Sequence, residues 1–376
     1  MRLTFQYRLL PSKHQRTLLD NTLELCRWVY NETLATRKNA WEQEQKSLTR
    51  YDTTKMLPVW KEGKPELSQV YSQVLQEVCA RVDLAFSSFF RRVKTGEKPG
   101  YPRFRGYGRY DSFTYPQTGF ELLDNGLQLS KIGIVKIIIH RPIRGNIKTL
   151  NIRRDRVGNW YACFSCEVET DPLPASEKAV GVDVGLESFA TLSNNGEKIP
   201  NPRFFRKDEK ALARVQRKLS KVEKGTPERE KRRKAVARIY QRIANRRKDF
   251  AHKLSRSLVN EYGIIALEKL NGKNMLKNHH LAKSISDAAW NQLVQYVTYK
   301  AEYADREVVL VDPRNTSKRC SRCGTLVEKS LAVRVHSCPV CGLEIDRDEN
   351  AAINILALGL QCLGASPRSH PVYGME

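Results

Sequence analysis

The stretch NTSKRCSRCGTLVEKSLAVRVHSCPVCGLEIDRDENAAIN, residues 315–354, holds two Cys-x2-Cys knuckles, Cys320/Cys323 and Cys338/Cys341, separated by a basic, strand-like loop. Four soft ligands in two tight turns suit one tetrahedral zinc ion, the spacing of a structural zinc ribbon. Directly after the second knuckle comes Asp346-Arg-Asp348-Glu-Asn350-Ala-Ala-Ile-Asn354. A carboxylate thus stands where a helix begins, with Ala351, Ala352, Ile355 and Leu356 as that helix's buried face. Asp348 is the favoured acid because those apolar residues set its helix against a core; Asp346 is the neighbouring acid that could be mistaken for it. Asn350 and Asn354, at i and i+4, are placed to tie the first turn to neighbouring backbone or to help place the Asp348 carboxylate.

Two further acids sit in comparable settings. AVGVDVG, residues 179–185, is a buried apolar strand bearing Asp183, followed by a hairpin turning at Asn194-Asn195-Gly196. YGIIALEKL, residues 262–270, is a second buried strand with Glu268 near its C-terminal end, and EVVLVDP, residues 307–313, is a third leading into the ribbon. Between these strands, Trp290, Leu293, Val294, Val297 and Ala301 mark a helix whose start signal is Ser284-x-Ser286-Asp287. In a strand-hairpin-helix-strand-helix-strand-helix order, Asp183, Glu268 and Asp348 can converge at one edge of a mixed sheet, the arrangement of the ribonuclease H fold. Three carboxylates brought that close resist joint ionisation unless divalent cations neutralise them. Two Mg2+ ions do so and also support phosphodiester hydrolysis, leaving 5′ phosphates.

The chain has 376 residues, enough for two or three domains with real cores. Its 65 Lys and Arg against 41 Asp and Glu, a net charge of +24, call for a polyanion, and nucleic acid is the first candidate. A membrane surface is the rival, but no stretch reaches about 18 consecutive apolar residues. MRLTFQYRLL breaks its apolar run with Arg2, Gln6 and Arg8, so it does not read as a signal peptide, and a cytoplasmic location is expected. Residues 203–256 are the most basic segment, with 21 Lys and Arg against 6 Asp and Glu. Leu212, Val215, Leu219 and Val222, then Val236, Ile239, Ile243, Phe250 and Leu254, line two helical faces around a break at Gly225-Thr-Pro227, an antiparallel arm. Cys163 and Cys166, three apart on a strand, point to opposite faces and cannot share a metal; with Cys26, Cys79 and Cys362 they read as small buried hydrophobes.

At the N-terminus, Leu3, Phe5 and Tyr7 alternate with polar residues as in a half-buried strand. Helical spacing follows from about His14 to Lys46, and again from about Glu66 to Val93, where Ser72, Gln73 and Gln76 form a polar edge. Such an edge is either a solvated face or a reader of adenine edges in a DNA groove. In RRVKTGEKPGYPRFRGYGRYDSFTY, residues 91–115, Gly and Pro preclude regular structure while basic and aromatic residues interleave. That composition suits base stacking with phosphate contact, or a surface loop with anchoring rings. Residues 119–169 then read as short strands with turns at Asn125-Gly126, Arg144-Gly145-Asn146 and Val157-Gly158-Asn159, a small antiparallel barrel that strand 2–9 could complete.

GVDVG, ALEKL, the paired knuckles, DRDENAAINI, KPGYPRFR and LAKSISDAAW together resemble the TnpB family of transposon-encoded, RNA-guided nucleases, relatives of the type V CRISPR effectors, over nearly the whole chain. The resemblance implies a multidomain α+β protein: an RNase H-like (RuvC) α/β nuclease domain with an inserted zinc ribbon, plus an N-terminal wedge-like β-barrel interrupted by a helical recognition lobe. The expected domains are a barrel at 1–12 and 118–172 and a helical lobe at 13–117. The RuvC domain is expected at 173–313 and 344–364, the ribbon at 314–343 and a flexible tail at 365–376. It further implies Asp183, Glu268 and Asp348 as the RuvC acids and Mg2+ ligands, and a guide RNA bound by a monomeric ribonucleoprotein. A short transposon-associated DNA motif is then read beside the double-stranded target, with Tyr51, Thr53, Ser72, Gln73, Gln76 and Thr114 as candidates by analogy. A DNA-binding regulator that no longer cuts is the alternative, and a transposase joining DNA ends a third reading.

Overall fold

The computed structural model describes residues 1–330 and 333–364; the expected tail at 365–376 lies outside the described residues. The chain divides into two compact units, Met1–Glu169 and the remainder from Thr170.

In the first unit, β1 (Arg2–Leu10) is followed by α1 (Lys13–Glu44), α2 (Arg50–Lys55), α3 (Leu57–Gly63), a 3-10 turn at Pro65–Gln69 and α4 (Ser72–Lys94). Six strands complete it: β2 (Ser112–Tyr115), β3 (Phe120–Leu123), β4 (Gly126–Leu129), β5 (Gly133–Ile138), β6 (Asn146–Arg154) and β7 (Trp160–Glu167). All seven strands form one antiparallel sheet in the order β2-β6-β7-β1-β5-β4-β3. The first strand therefore lies at its centre, and the helices are an insertion between β1 and β2. Phe5, Tyr7 and Leu9 on β1 face the same core as Trp160, Ala162, Phe164 and Cys166 on β7, as the two-residue period requires. The sheet curls into a nearly closed barrel: Tyr115 Oη, on edge strand β2, donates to the Ser130 carbonyl beyond β4 at 3.1 Å.

Two local expectations are corrected here. Ser112–Tyr115, read as loop, is a strand paired with β6, because Phe113 and Tyr115 alternate inward and the Gly and Pro residues all precede them. The second long helix starts at Ser72 and not near Glu66, since Pro65 opens a 3-10 turn and Val70 is extended. Helix α1 begins at a complete capping box, Ser12 with Gln15. Its buried Leu19, Leu23, Cys26, Tyr30 and Leu34 oppose Val74, Val78, Val82 and Phe86 of α4.

In the second unit, β8 (Ala179–Val184), β9 (Ser188–Leu192) and β10 (Lys198–Pro200) precede α5 (Phe204–Ser220) and α6 (Pro227–Glu261). Then come β11 (Ile264–Glu268), α7 (Gly272–Met275), α8 (Ala282–Ala288), α9 (Trp290–Ala304) and β12 (Glu307–Val311). A small hairpin, β13 (Val335–Ser337) with β14 (Glu344–Asp346), leads into α10 (Arg347–Cys362). The main sheet runs β10-β9-β8-β11-β12, with β8, β11 and β12 parallel and the β9–β10 hairpin antiparallel. This is the mixed sheet of an RNase H-like fold.

Helices α5 and α6 form the basic arm, held by Leu212, Ile239 and Ile243 with Phe204, Phe205, Val215 and Val236. Thr226 caps α6 by accepting from the Arg229 amide, and Pro227 occupies its first turn. The helix expected to start at Ser284–Asp287 is instead two helices: Ala289, at φ +53°, breaks the backbone between α8 and α9. Asp287 does not cap its own helix. Its carboxylate accepts the Phe205 amide at 2.9 Å in the first turn of α5, whose own boundary residue, Arg203, makes no side-chain cap. It also accepts from Arg247 of α6 at 2.7 Å, so it fastens both limbs of the arm.

Candidate active site and metal centre

The β8 strand carries Asp183 one residue before its end, and β11 ends on Glu268. Because the two strands are parallel neighbours, these acids emerge at the same end of the sheet. Helix α10 brings the third. Gly181 permits the close approach: a Cβ there would lie 2.0 Å from the Ala352 carbonyl oxygen, so any larger residue would push α10 off β8. Asp346 caps α10, its Oδ1 accepting the amides of Asp348 at 3.0 Å and Glu349 at 3.2 Å, which turns Asp348 into the first helical turn.

Burial and like charge act on these acids in the same direction. Burial, then Glu268 and then Asp348, push the Asp183 carboxyl up to about 8, with Arg347 opposing them. Burial also raises Glu268, against the pull of a 2.7 Å hydrogen bond donated by Thr316 Oγ1. Asp348 faces two cations: Arg347 donates to its Oδ1 at 3.0 Å, and Arg334 lies 3.8 Å from its Oδ2. Arg334, between the cysteine knuckles, also pairs with Glu187 at 2.8 Å. Burial alone would raise Asp346, but Lys198, at 2.7 Å, and the two capped amides outweigh it and hold that acid below its usual range.

The four ribbon cysteines meet as a second cluster, their sulfurs mutually within 4.8 Å. Cys320 and Cys341 are 3.6 Å apart and Cys323 and Cys338 3.5 Å. Zn–S bonds of about 2.3 Å in a tetrahedron require sulfurs roughly 3.8 Å apart, so the quartet fits one zinc ion. Among the described residues no other group of three or more His, Cys, Asp or Glu ligand atoms is that compact. The three acids form a looser set, with Asp348 turned toward arginine.

Asn350 and Asn354 join the two centres. Asn350 accepts the Ser321 amide at 2.9 Å and donates to the Arg319 carbonyl at 2.8 Å, gripping both sides of Cys320. Asn354 donates to the carbonyls of Thr316 and Arg319 at 2.8 and 2.7 Å. Thr316, in turn, reaches Glu268. Sequence reasoning missed Thr316, Lys198, Arg334 and Arg347, because polar residues near a knuckle or in a hairpin carry no period or spacing that marks their partner.

The motif-reading candidates lie in the first unit and are not equivalent. Thr53 is fully buried, its hydroxyl donating to the Arg50 carbonyl at 2.9 Å, so it cannot reach a base edge; this corrects its inclusion. Thr114 accepts from Arg81 at 2.8 Å and Asn151 at 2.9 Å. Gln73 accepts from Thr118 at 3.1 Å and Ser72 from Lys61 at 3.0 Å. Tyr51 and Gln76 are exposed.

Three family models match the chain: "Probable transposase" at residues 163–279, "Cas12f1-like, TNB domain" at 290–355 and "Helix-turn-helix domain" at 1–46. In that last span the structure has a strand and one long helix, β1 and α1. The chain is 39% identical over 364 residues to a "Putative RNA-guided DNA endonuclease" of Streptomyces pristinaespiralis, covering 95% of this chain and 89% of the relative. It is 30% identical over 375 residues to "Putative RNA-guided DNA endonuclease InsQ" of Escherichia coli strain K12, covering 94% and 92%. Shorter matches carry the name TnpB-like protein. Among solved structures, that of a Cas12f1-sgRNA-target DNA complex shares the fold at a TM-score of 0.56 and 14% identity, over 92% of this chain and 83% of that one. No helix among the described residues is long and apolar enough to cross a membrane.

Proposed function

The chain belongs to the TnpB family, and from that premise we propose that it is an RNA-guided endonuclease that hydrolyses phosphodiester bonds of double-stranded DNA at a Mg2+-dependent, RuvC-type site. The observation that carries the reading is geometric: Asp183 and Glu268 stand at the same end of the parallel neighbours β8 and β11, and α10, packed closely on Gly181 of β8, carries Asp348 in its first turn. Carboxylates that repel one another at the end of parallel strands form an all-oxygen donor set, and divalent cations relieve the repulsion. Two magnesium ions, when bound, supply an activated water and neutralise charge on phosphorus and on the leaving 3′ oxygen. Asp183, Glu268 and Asp348 would hold them. Thr316 orients Glu268, the Asp346 cap and Lys198 orient the first turn of α10, and Arg334 and Arg347 balance the Asp348 charge.

Pairing between guide RNA and target strand supplies most of the specificity in this reading, and the protein reads a short flanking motif. Tyr51, Ser72, Gln73, Gln76 and Thr114 remain the proposed readers, with exposed Tyr51 and Gln76 the least committed to other contacts. The arm of α5 and α6 contacts phosphates, since its charge opposes its own packing until a polyanion neutralises it. The cysteine quartet holds structural zinc, and the working form is one protein chain with one RNA.

The test is cleavage of a plasmid library by protein purified with its RNA. Mg2+-dependent cuts bearing 5′ phosphates are expected, and Asp183→Ala or Glu268→Ala should abolish them. Cutting that survives either substitution defeats the mechanism. Guided binding without any cutting by the native chain would favour a regulator.

A further inference from the structure

The first unit contains a cavity of about 210 Å³ lined by Tyr30, Arg81, Arg105, Arg109, Tyr110 and Asp111. Its charge is unbalanced. Arg81 spends its hydrogen bonds on neutral oxygens, the Ser112 carbonyl at 2.6 Å, Thr114 Oγ1 at 2.8 Å and Tyr110 Oη at 3.3 Å. The Arg105 guanidinium stands 5.5 Å above the Tyr30 ring, and neither it nor that of Arg109 has a carboxylate partner among the described residues. Asp111 is the lone acid of the lining.

The site is built and not an accident of loose side chains. Asn31 grips Arg105 from both sides, accepting its amide at 2.7 Å and donating to its carbonyl at 3.0 Å, while Arg27 donates to the same carbonyl at 3.2 Å. The chain around Arg105 is therefore pinned to α1, and the Arg109 amide closes a turn on the Gly106 carbonyl at 3.1 Å. With Arg81 committed to neutral oxygens, Arg105 and Arg109 are the two guanidinium groups of the lining without a carboxylate partner, and they favour an anion with a forked oxygen face. Inorganic phosphate alone would leave unused the flat guanidinium faces that Arg105 and Arg81 hold over the buried rings of Tyr30 and Tyr110. A volume of this size equals about seven waters, below the roughly 300–1,000 Å³ of a cofactor pocket and suited to one planar ring system.

We propose that this cavity receives a single nucleotide, turned out of its stack, from a strand of the nucleic acid that the protein binds. The phosphate meets Arg109, the base lies against the guanidinium planes of Arg105 and Arg81, which cover the buried rings of Tyr30 and Tyr110, and Asp111 accepts from a base amino group or a sugar hydroxyl. The proposal rests on the nuclease reading only for the source of the strand, guide RNA or target DNA.

The experiment is photo-crosslinking of the full protein, purified with its RNA and given target DNA, using thio-substituted pyrimidines in one strand at a time, followed by mass spectrometry. Crosslinks in the peptides of Tyr30 or residues 105–112 should map to one nucleotide position; their strand identifies the source. Removing the base at that position should weaken binding roughly tenfold or more in the native chain and change little in Arg105→Ala/Arg109→Ala. Both substituted side chains are exposed, so the unfolding midpoint serves as the control for folding. Crosslinks scattered over many positions, or none in these peptides while RNA is retained and DNA is cut, overturn the proposal. If no RNA is retained, the nuclease reading fails separately. The cavity is then tested with mixed-sequence single-stranded RNA and DNA oligonucleotides, where absence of a cavity crosslink overturns it.

Discussion

Thr316 Oγ1 donates a buried 2.7 Å hydrogen bond to Oε1 of Glu268, while the Thr316 carbonyl accepts one of 2.8 Å from Asn354. A residue at the base of the ribbon thus holds both an acid of the sheet and the helix bearing Asp348. Hydrogen bonds to charged groups are worth about 1.5–3 kcal/mol, so Thr316→Val should slow cleavage by roughly tenfold or more. Without the bond, burial raises the Glu268 carboxyl further, and the rising limb of the pH–rate profile should move to higher pH. Thr316→Ser should restore both. A Thr316→Val enzyme with an unmoved profile would remove Thr316 from the site.

Zinc should be present at one ion per chain and should hold more than the ribbon. Asn350 and Asn354 grip residues 316, 319 and 321, which flank Cys320, so metal loss loosens their grip on α10. Chelation or Cys338→Ser should increase hydrogen exchange in the first turn of α10 and lower cleavage together. Exchange that stays at the native rate in zinc-free protein would sever the ribbon from the acids.

The raised Asp183 carboxyl makes stability depend on pH in the direction opposite to an ion-paired acid. The native chain keeps a proton, up to about pH 8, that the unfolded chain releases near pH 4. That contribution is complete below the unfolded value and disappears as pH rises toward 8, with a slope of up to ~1.4 kcal/mol per pH unit. Metal-free Asp183→Asn should therefore gain stability over the parent as pH rises from 5 to 8, and magnesium should narrow the gap. Urea midpoints at each pH measure it; a constant gap would mean that Asp183 is not the group responsible.

Removing Asp287 should detach the arm at its root. The carboxylate is buried and serves the Phe205 amide and the Arg247 guanidinium, so Asp287→Ala leaves a cation and a helix N-terminus without their partner. With Arg247 only partly exposed, the expected loss is about 2–3 kcal/mol, and Asp287→Asn should lose less. Hydrogen exchange in α5 should rise before that in β8 or β11. Equal protection across all three would indicate that the hydrophobic stripe alone holds the arm.

Legibility followed range. The cysteine spacing, the period-two alternation of β1 and β7 and the helical stripe of the arm are local patterns, and the structure has each of them where the pattern stands. The SFTY strand was hidden behind the glycines and prolines of its own segment. Ser284-x-Ser286-Asp287 has the look of a cap, yet Asp287 serves the distant Phe205, because a carboxylate goes to whichever unpaired amide tertiary packing presents.

By itself the sequence determined the strongly periodic elements, that four thiols can share one metal, and that three acids sit at strand ends and a helix start. Those properties follow from backbone periodicity and from side-chain chemistry within a few residues. Only the tertiary structure decided that Thr316 serves Glu268, that Lys198 holds the cap of α10, that Arg334 and Arg347 flank Asp348, and that Thr53 is sealed in a core. Such partners are far apart in the chain or hidden by packing. Their hydrogen bonds are worth making only after neighbouring elements have excluded water, so no local signal records them.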